Sequence, residues 1–325
     1  MIIVRAPLRV SLCGGGSDLP AFYEKHCGCV ISTTIKKYVY LTLNPAFYSD
    51  DIVLKYSKTE TVKDYSEIEH SIFRDVFRKF NVKGVEIASM ADVPAGTGLG
   101  SSSSFTVALL KLLYTHQNQH ISTYKVAKEA CEIEIDDLKN PIGKQDQFAS
   151  AFGGLKYYEF QSNGFVKVEP IVMLPESFRK LEERLMLFYT GIKHDSSKIL
   201  SEQVNNIIND KEKETSTLQL CELTRELKQH LEENDVDFIG EVLNRSWIIK
   251  KTLAKSITGS EIDCYYDKAI QAGANGGKLL GAGGGGFLLF YVMPEKQNEV
   301  RKALSNLKEM NFEIDNAGVS ILYDN

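Results

Sequence analysis

The segment VPAGTGLGSSSSF, residues 93–105, alternates glycine with other residues and then continues into four serines. An apolar, strand-like segment at 85–91 precedes it, and apolar residues at helical spacing follow from Phe105 onward. The start of a helix presents backbone N–H groups without intrahelical partners and the positive end of the helix dipole. Glycines let an anion approach that backbone closely, and serine hydroxyls can donate to phosphate oxygens. The segment therefore predicts a phosphate-binding loop between a strand and a helix.

Two better-known glycine-rich loops do not match this segment. A Walker loop requires a lysine after its last glycine, and here Ser101 follows Gly100. A dinucleotide-binding fingerprint requires two residues between its second and third glycines, whereas only Leu99 separates Gly98 from Gly100. A glycine-serine linker without function is the remaining alternative, and the regular helix that follows argues against it.

Composition and charge limit the classes of protein to which the chain can belong. Its 325 residues, 43% hydrophobic and 25% charged, predict two packed domains. A net charge of -5 argues against a nucleic-acid-binding surface. Arg5 and Arg9 interrupt the apolar N-terminus, and the apolar run at 287–293 is too short to cross a bilayer. We therefore expect a cytoplasmic protein that binds neither nucleic acid nor membrane.

Strand and helix patterns alternate along the chain and predict an α+β fold. The predicted strands are 2–10, 30–43, 52–56, 85–91, 287–292 and 312–323. The predicted helices are 66–80, 123–137, 202–231, 261–272 and 295–310, and a further helix follows the glycine segment, with a buried stripe from Phe105 to Leu113. We place the domain boundary between residues 172 and 173, which gives domains of 1–172 and 173–325.

Two further glycine-rich segments place polar or tightly packed groups at the ends of strands. In RAPLRVSLCGGGSDLP, residues 5–20, Arg9 lies on a strand and Asp18 follows the glycines on a tight turn. A turn stabilised only by the Asp18 side chain is the alternative. In GGKLLGAGGGGFLLFYV, residues 276–292, the glycines predict backbone packed against a bulky group, with a simple close-packed turn as the alternative.

The segment EIEIDDLKNPIGKQDQF, residues 132–148, carries two candidate carboxylates. Glu134 lies late on a helix, and Asp146 follows a break at Pro141 and Gly143, where it could face a cleft. Acidic residues on a helix are usually exposed to solvent, so each one alone also fits a surface position.

Together these segments resemble the GHMP kinases, the superfamily of galactokinase, homoserine kinase, mevalonate kinase and phosphomevalonate kinase. RAPLRVSLCGGGSD, PAGTGLGSSSS and KLLGAGGGGF are similar, in this order, to its three characteristic regions. The resemblance implies a two-domain fold. The N-terminal ATP-binding domain would contain a left-handed β-α-β unit, against the general right-handed rule, and the C-terminal domain would be ferredoxin-like.

The resemblance also implies roles for individual residues. The ATP phosphates would be bound by Pro94, Gly96, Thr97, Gly98, Leu99, Gly100, Ser101, Ser102 and Ser103. Ser102 and Glu134 would hold Mg²⁺, and Asp146 would be the catalytic carboxylate with Arg9 beside it. The sugar would be bound by Arg9, Ser17, Asp18 and Asp146.

Several segments, among them GKQDQFASAFGG and LFYTGI, look like those of bacterial D-glycero-D-manno-heptose 7-phosphate kinases, which phosphorylate the anomeric hydroxyl. The resemblance implies an arginine after TGI, and this chain has Lys193, His194 and Asp195 there. Lys193 could replace it as a point charge, without the bidentate geometry of arginine.

Three functions stay open on the sequence alone. The first is an ATP-dependent heptose 7-phosphate kinase. The second is a non-catalytic sensor of ATP and sugar, against which the joint presence of Arg9, Glu134 and Asp146 argues. The third is a GHMP kinase that acts on fucose or on a mevalonate-type alcohol. The sequence also leaves open whether the chain forms a homodimer.

Overall fold

The computed structural model describes residues 1–192 and 195–325, and both strands and helices run through these ranges. The strands are β1 (Ile2–Cys13), β2 (Gly28–Pro45), β3 (Ile52–Lys55), β4 (Thr59–Val62), β5 (Val85–Ala91), β6 (Lys156–Phe160), β7 (Val166–Pro170), β8 (Leu185–Tyr189), β9 (Gly276–Leu279), β10 (Phe287–Tyr291), β11 (Lys308–Met310), β12 (Ile314–Asp315) and β13 (Ser320–Asp324). The α-helices are α1 (Pro20–Tyr23), α2 (Ser71–Phe80), α3 (Ser101–His116), α4 (Thr123–Cys131), α5 (Gln145–Phe152), α6 (Pro175–Arg184), α7 (Ser196–Asn209), α8 (Lys211–Glu232), α9 (Phe238–Leu253), α10 (Ser260–Gln271) and α11 (Gln297–Ala303). The predicted α+β class is confirmed.

The first sheet is organised around the long strand β2. Its strand order is β13-β1-β2-β5-β3-β4, and β2 also pairs with β6 and β12. One edge of β2 pairs with β1, while the other pairs in turn with β6, β12 and β5. The side chains of β2 are buried without alternation from Gly28 to Ile35, as expected where both faces of a strand are covered. Helices α3, α5 and α8 all pack against this strand.

The second sheet has the strand order β11-β8-β10-β9, and all its pairs are antiparallel. In chain order this is 4-1-3-2, with helices between β8 and β9 and helix α11 between β10 and β11. That arrangement is the ferredoxin-like one implied by the resemblance. The parallel pair β3 and β5 in the first sheet is where a left-handed connection is expected, and its hand stays a prediction.

Several of the predicted elements differ from the observed ones, and the structure gives a physical reason for the following three. The predicted helix 202–231 is divided into α7 and α8, because the extended Asp210 caps α8 by accepting from the N–H of Glu212. The predicted helix 295–310 ends at Ala303, since residues 308–310 instead pair with β8 as strand β11. The predicted strand 312–323 is interrupted by a turn in which Asp315 accepts from the N–H groups of Ala317 and Gly318.

The C-terminal strands return to the first sheet. Strand β12 pairs with β2, and β13 pairs with β1, so the chain beyond the second sheet completes the sheet in which it began. The division between residues 172 and 173 stays a prediction. Strands β12 and β13, although they follow residue 173, belong to the first sheet and not to the second. In the described ranges, none of the helices combines the length and apolarity that a membrane span needs.

Candidate active site

A cleft of about 320 Å³ is lined by residues from all three glycine-rich segments. Arg9 and Gly15 represent the first segment, Gly98 the second and Gly281 the third. Residues of α5, α7 and α9 also line it. The three segments that are far apart in sequence therefore meet at one site.

The phosphate-binding loop is held in place by direct backbone packing on the third segment. A Cβ on Gly98 would lie 2.7 Å from the carbonyl oxygen of Leu280, and a Cβ on Gly281 would lie 2.5 Å from the Gly98 Cα. Gly98 also has a φ of +83°, which side chains rarely adopt. Only glycine fits on both sides of this contact, which accounts for Gly98 and Gly281.

Most of the predicted ATP-binding residues line the cleft at the start of α3. They are Gly96, Thr97, Gly98, Gly100, Ser101, Ser102 and Ser103. Pro94 and Leu99 do not belong to the lining. Pro94 is exposed, and Leu99 is buried in the core while its carbonyl oxygen accepts from the Arg9 N–H at 3.0 Å. Their contribution is to shape the loop.

Arg9 and Asp146 form a bidentate ion pair at the floor of the cleft. The Arg9 Nε and Nη2 atoms donate to the two carboxylate oxygens of Asp146, each at 2.7 Å. The Arg9 Nη1 atom donates to the carbonyl oxygen of Gly98 at 2.5 Å, so the arginine joins the carboxylate to the phosphate-binding loop. The Asp146 side chain is 25% exposed and faces the cleft. The structure thus brings together the two residues predicted to be catalytic.

The glutamine that precedes Asp146 fixes the orientation of this carboxylate. The Gln145 Nε2 atom donates to Asp146 Oδ1 at 3.1 Å, and its Oε1 atom accepts from the Ser11 hydroxyl at 2.8 Å. Gln145 therefore joins the start of α5 to strand β1. The sequence analysis did not identify it, because a glutamine on a helix has no distinctive pattern.

Asp18 is a buried carboxylate beside the Arg9–Asp146 pair. It accepts from the N–H groups of Gly16 at 3.0 Å and Gln145 at 3.2 Å. A Cβ on Gly143 would lie 2.0 Å from the Asp18 carboxylate, so the non-helical segment before α5 packs directly against it. Burial, reinforced by the negative charge of Asp146, raises the pKa of Asp18.

Ser17 lies behind the cleft and does not line it. Its hydroxyl donates to the carbonyl oxygen of Gly14 at 2.8 Å and accepts from the N–H of Cys29 at 3.0 Å. The side chain is fully buried. We therefore assign Ser17 to holding the turn that carries Asp18, in place of direct contact with a sugar.

Ser102 and Glu134 are in contact, as the resemblance implies. The Ser102 hydroxyl donates to one carboxylate oxygen of Glu134 at 3.1 Å, and Gln147 Nε2 donates to the other at 2.5 Å. Burial raises the pKa of Glu134, and its hydrogen bonds oppose that shift. A hydroxyl and a carboxylate are oxygen donors of the kind that Mg²⁺ prefers, so this pair fits the ion.

The backbone around Glu134 is a π-helix, Glu132–Asp137, in place of the regular helix that was predicted. The N–H of Leu138 donates to the carbonyl oxygen of Ile133, five residues earlier, at 2.9 Å. Such π-helical turns occur frequently at functional sites, because they change the direction of one side chain. Here the turn carries the carboxylate that contacts Ser102.

Two buried lysines in the cleft were not identified from the sequence. Lys250 lies on α9 and Lys278 on β9, and both line the cleft. Lys278 had a visible signal, since it is a charged residue next to an apolar strand in KLLGAGGGGF. Lys250 had none, because one lysine among several in a helix is usually exposed.

The residues after TGI are only partly described. Lys193, the predicted replacement for an arginine, and His194 lie outside the described residues. Asp195 caps α7, accepting from the N–H groups of Ser197 at 3.1 Å and Lys198 at 3.3 Å. Its carboxylate therefore stabilises a helix start.

The known proteins that the chain resembles include a family of kinase domains and several sugar kinases. The profile of the family described as GHMP kinases N terminal domain matches residues 67–154. The chain is 31% identical to the D-glycero-alpha-D-manno-heptose 7-phosphate kinase of Campylobacter jejuni, over 93% of both chains. It is 25% identical to the galactokinase of Pyrococcus furiosus, over 93% of this chain and 92% of that one. A solved D-glycero-D-manno-heptose 1-phosphate kinase from Bacteroides thetaiotaomicron superposes with a TM-score of 0.82, at 27% identity and over 100% of both chains.

Proposed function

Because the chain belongs to the GHMP kinases and is an ATP-dependent phosphotransferase, we propose that it phosphorylates the anomeric hydroxyl of D-glycero-D-manno-heptose 7-phosphate. The products would be the 1,7-bisphosphate and ADP. The observation that carries the proposal is the Arg9–Asp146 pair, which shares one cleft with the serine-rich start of α3. A site with a phosphate-binding loop and an oriented carboxylate can perform phosphoryl transfer to a hydroxyl.

Phosphoryl transfer requires mainly positioning and charge stabilisation, because its transition state is loose. The N–H groups at the start of α3 would bind the ATP phosphates, and Gly98 allows close approach of the backbone. The Ser102 hydroxyl and the Glu134 carboxylate would hold Mg²⁺, which supplies positive charge to the phosphate oxygens when it is bound.

Asp146 would orient the acceptor hydroxyl and accept its proton. Oδ1 accepts from both Arg9 and Gln145, whereas Oδ2 accepts from Arg9 and keeps a lone pair for the acceptor hydroxyl. The side chain is 25% exposed toward the cleft. As the hydroxyl oxygen forms its bond to the γ-phosphorus, the proton passes to Asp146 and ADP leaves. Arg9 holds the carboxylate in one orientation throughout.

The substrate assignment is supported by the relatives. The Campylobacter jejuni relative, named a heptose 7-phosphate kinase, shares 31% identity with this chain, whereas the Pyrococcus furiosus galactokinase shares 25%. The buried Asp18 carboxylate beside Asp146 suits a polyol, since carboxylates accept hydrogen bonds from hydroxyl groups. We place the reaction in the cytoplasm, where its product would supply nucleotide-activated heptose for surface polysaccharide.

A coupled ADP-release assay tests the proposal across heptose 7-phosphate, heptose, mannose, fucose, galactose and mevalonate. We expect the highest kcat/KM with heptose 7-phosphate, and a ³¹P NMR spectrum that shows a new phosphate on the anomeric oxygen. Preference for fucose, galactose or mevalonate would overturn the substrate. If ADP were not formed above background with any of these acceptors, the non-catalytic sensor of ATP and sugar would become the better interpretation.

A further inference from the structure

Two buried ammonium groups lie in the cleft without a carboxylate partner among the residues that the structure describes. Lys278 is 3% exposed and Lys250 is 7% exposed. Lys278 donates to the carbonyl oxygen of Leu12 at 3.3 Å, and Lys250 donates to the carbonyl oxygen of Gly281 at 2.5 Å and more weakly to that of Leu279. Within residues 1–192 and 195–325, neither lysine forms an ion pair.

Such an arrangement is costly for the protein alone. Lysine is almost never fully buried unless it is paired, because a buried charge loses its hydration. Carbonyl oxygens compensate only part of that loss. Burial lowers the pKa of Lys278 to about 8 and that of Lys250 well below its usual range. The positive charge of Arg9 adds to both shifts.

The nearby carboxylates leave these ammonium groups without compensation. Asp146 is already paired with Arg9 through two hydrogen bonds. Asp18 accepts from two backbone N–H groups, and it influences Lys250 only through its charge. The part of the cleft beside Lys250 and Lys278 therefore has an excess of positive charge, and an anionic ligand would neutralise it.

A separate observation marks the same side of the cleft. Gln203 on α7 is 2% exposed, and its Nε2 atom has no hydrogen-bond partner among the residues that the structure describes. Gln203 lies directly over Gly16, two residues before Asp18, since a Cβ on that glycine would lie 2.4 Å from the Nε2 atom. Buried polar groups in folded proteins are normally hydrogen-bonded, so an unpartnered donor that lines a cleft indicates a ligand.

We propose that Lys250 and Lys278 bind the phosphate group that the acceptor already carries, and that Gln203 donates to the same ligand. The enzyme then selects a phosphorylated sugar over the neutral one. This assignment rests on the proposed function. The ATP phosphates are the other source of phosphate in this cleft, but the start of α3 and Ser102 already supply donors for them.

The primary test compares Lys278→Met with Lys268→Met, an exposed lysine on α10 that serves as the matched control. Methionine keeps the length of the side chain and removes its charge. Since hydrogen bonds to charged groups are worth about 1.5 to 3 kcal/mol, we expect KM for heptose 7-phosphate to rise roughly 10- to 100-fold in Lys278→Met. We expect KM for ATP, and kcat/KM for neutral heptose, to stay within about twofold of wild type.

A binding measurement separates this proposal from the proposed function. With the phosphate-binding loop saturated by a non-hydrolysable ATP analogue and Mg²⁺, inorganic phosphate is titrated into the protein in a calorimeter. We expect binding to wild type and Lys268→Met, and at least tenfold weaker binding to Lys278→Met and Lys250→Met. This result would support the subsite even if another sugar phosphate proved to be the substrate.

Two results would overturn the subsite. One is phosphate binding that is unchanged in both lysine variants. The other is a Lys278→Met variant whose KM for ATP rises while the ratio of kcat/KM for phosphorylated and neutral heptose stays constant. The lysines would then bind the phosphates of ATP and not the phosphate of the acceptor. Removing an unpaired buried charge should not impair folding, so the variants remain measurable.

Discussion

The Arg9 guanidinium is paired with the Asp146 carboxylate by two hydrogen bonds of 2.7 Å, whereas the buried ammonium groups of Lys250 and Lys278 contact only backbone carbonyl oxygens. The first pair lies on β1 and α5, and the lysines lie on α9 and β9. The charges of Arg9 and Asp146 neutralise each other before any ligand binds, and we call them the completed pair. Lys250 and Lys278 have no such ion-pair partner among the described residues, and we call them the incomplete pair.

This difference separates the two tasks that a kinase of this kind performs. A charge pair that is already satisfied costs no reorganisation at the moment of reaction, which suits the groups that act on the transferred phosphoryl. A site that is stabilised only when an anion enters suits selection of the substrate. We infer that the Arg9–Asp146 pair performs the chemistry and that Lys250 and Lys278 recognise the phosphate of the acceptor. The contact between Gly98 and Gly281 joins the glycine-rich loop before α3 to the segment that carries Lys278.

The largest expected effect comes from breaking the completed pair. Asp146→Asn removes the proton acceptor and one ionic partner of Arg9, and we expect kcat to fall by roughly a hundredfold to ten-thousandfold. KM for ATP should change little, since the loop and Ser102 are untouched. Single-turnover kinetics and ATP-analogue binding measure the two effects. The control is Asp136→Asn, an exposed carboxylate in the neighbouring π-helix; an equal loss in both variants would remove Asp146 from its role.

The next effect tests the contact that joins the two regions. Gly98→Ala introduces a Cβ 2.7 Å from the carbonyl oxygen of Leu280, at a φ of +83°. Gly96→Ala is the matched control, because Gly96 has a φ of +75° but no heavy atom within 4 Å of its added Cβ. We expect Gly96→Ala to lower the free energy of unfolding by about 1 kcal/mol and Gly98→Ala by about 3 kcal/mol. Urea denaturation gives both values, and equal losses would mean that the contact contributes nothing beyond the backbone conformation.

A smaller effect is expected at the proposed metal ligand. Glu134→Gln replaces a carboxylate by a neutral amide of the same shape, and we expect the Mg²⁺ concentration for half-maximal activity to rise roughly 10- to 100-fold. Glu132→Gln, in the same π-helix but paired with Lys128 at the surface, is the control. An unchanged Mg²⁺ requirement in Glu134→Gln would show that the ion is held elsewhere.

The Arg9–Asp146 pair could be predicted from the sequence, whereas of the two buried lysines Lys278 had a visible signal and Lys250 had none. Arg9, Glu134 and Asp146 lie in segments whose glycines and helix breaks are visible in sequence, and the resemblance gave each a role. Lys250 becomes notable only through its burial, which depends on how α9 packs. A lysine pattern on a helix is the same whether the residue faces solvent or a cleft.

Secondary structure shows the same limit. The strand at 85–91 was predicted with its observed bounds, because its apolar residues fit the strand pattern locally. Residues 308–310 were predicted as helix, yet they form β11 because strand β8 is available as a partner. Pairing between distant strands overrides the local preference for helix, and the spacing of apolar residues in the sequence does not reveal such pairing.

The smallest expected effect is on how the free energy of unfolding depends on pH, and it tests whether Lys278 is a buried, unpaired charge. The pKa of Lys278 is lowered to about 8 in the folded protein, from an ordinary value of 10.5. Between these values the unfolded chain binds a proton that the folded chain has released, so this lysine makes the free energy of unfolding rise with pH. Lys250 acts in the same direction. Cys13, whose pKa is raised by burial, acts in the opposite direction.

Comparing wild type with Lys278→Met measures the contribution of this lysine together with its charge coupling to Lys250 and Cys13. Below about pH 8 the wild type has an uncompensated buried charge that the variant lacks, so the variant should be the more stable of the two. As the pH rises from about 8 to 10 the wild type loses this charge, and we expect the variant's advantage to shrink by about 1 to 2 kcal/mol. Urea denaturation of both proteins at several pH values measures this difference, and Lys268→Met should show no such trend. An advantage that stayed constant across this range would mean that Lys278 is not a buried, unpaired ammonium group in the free protein.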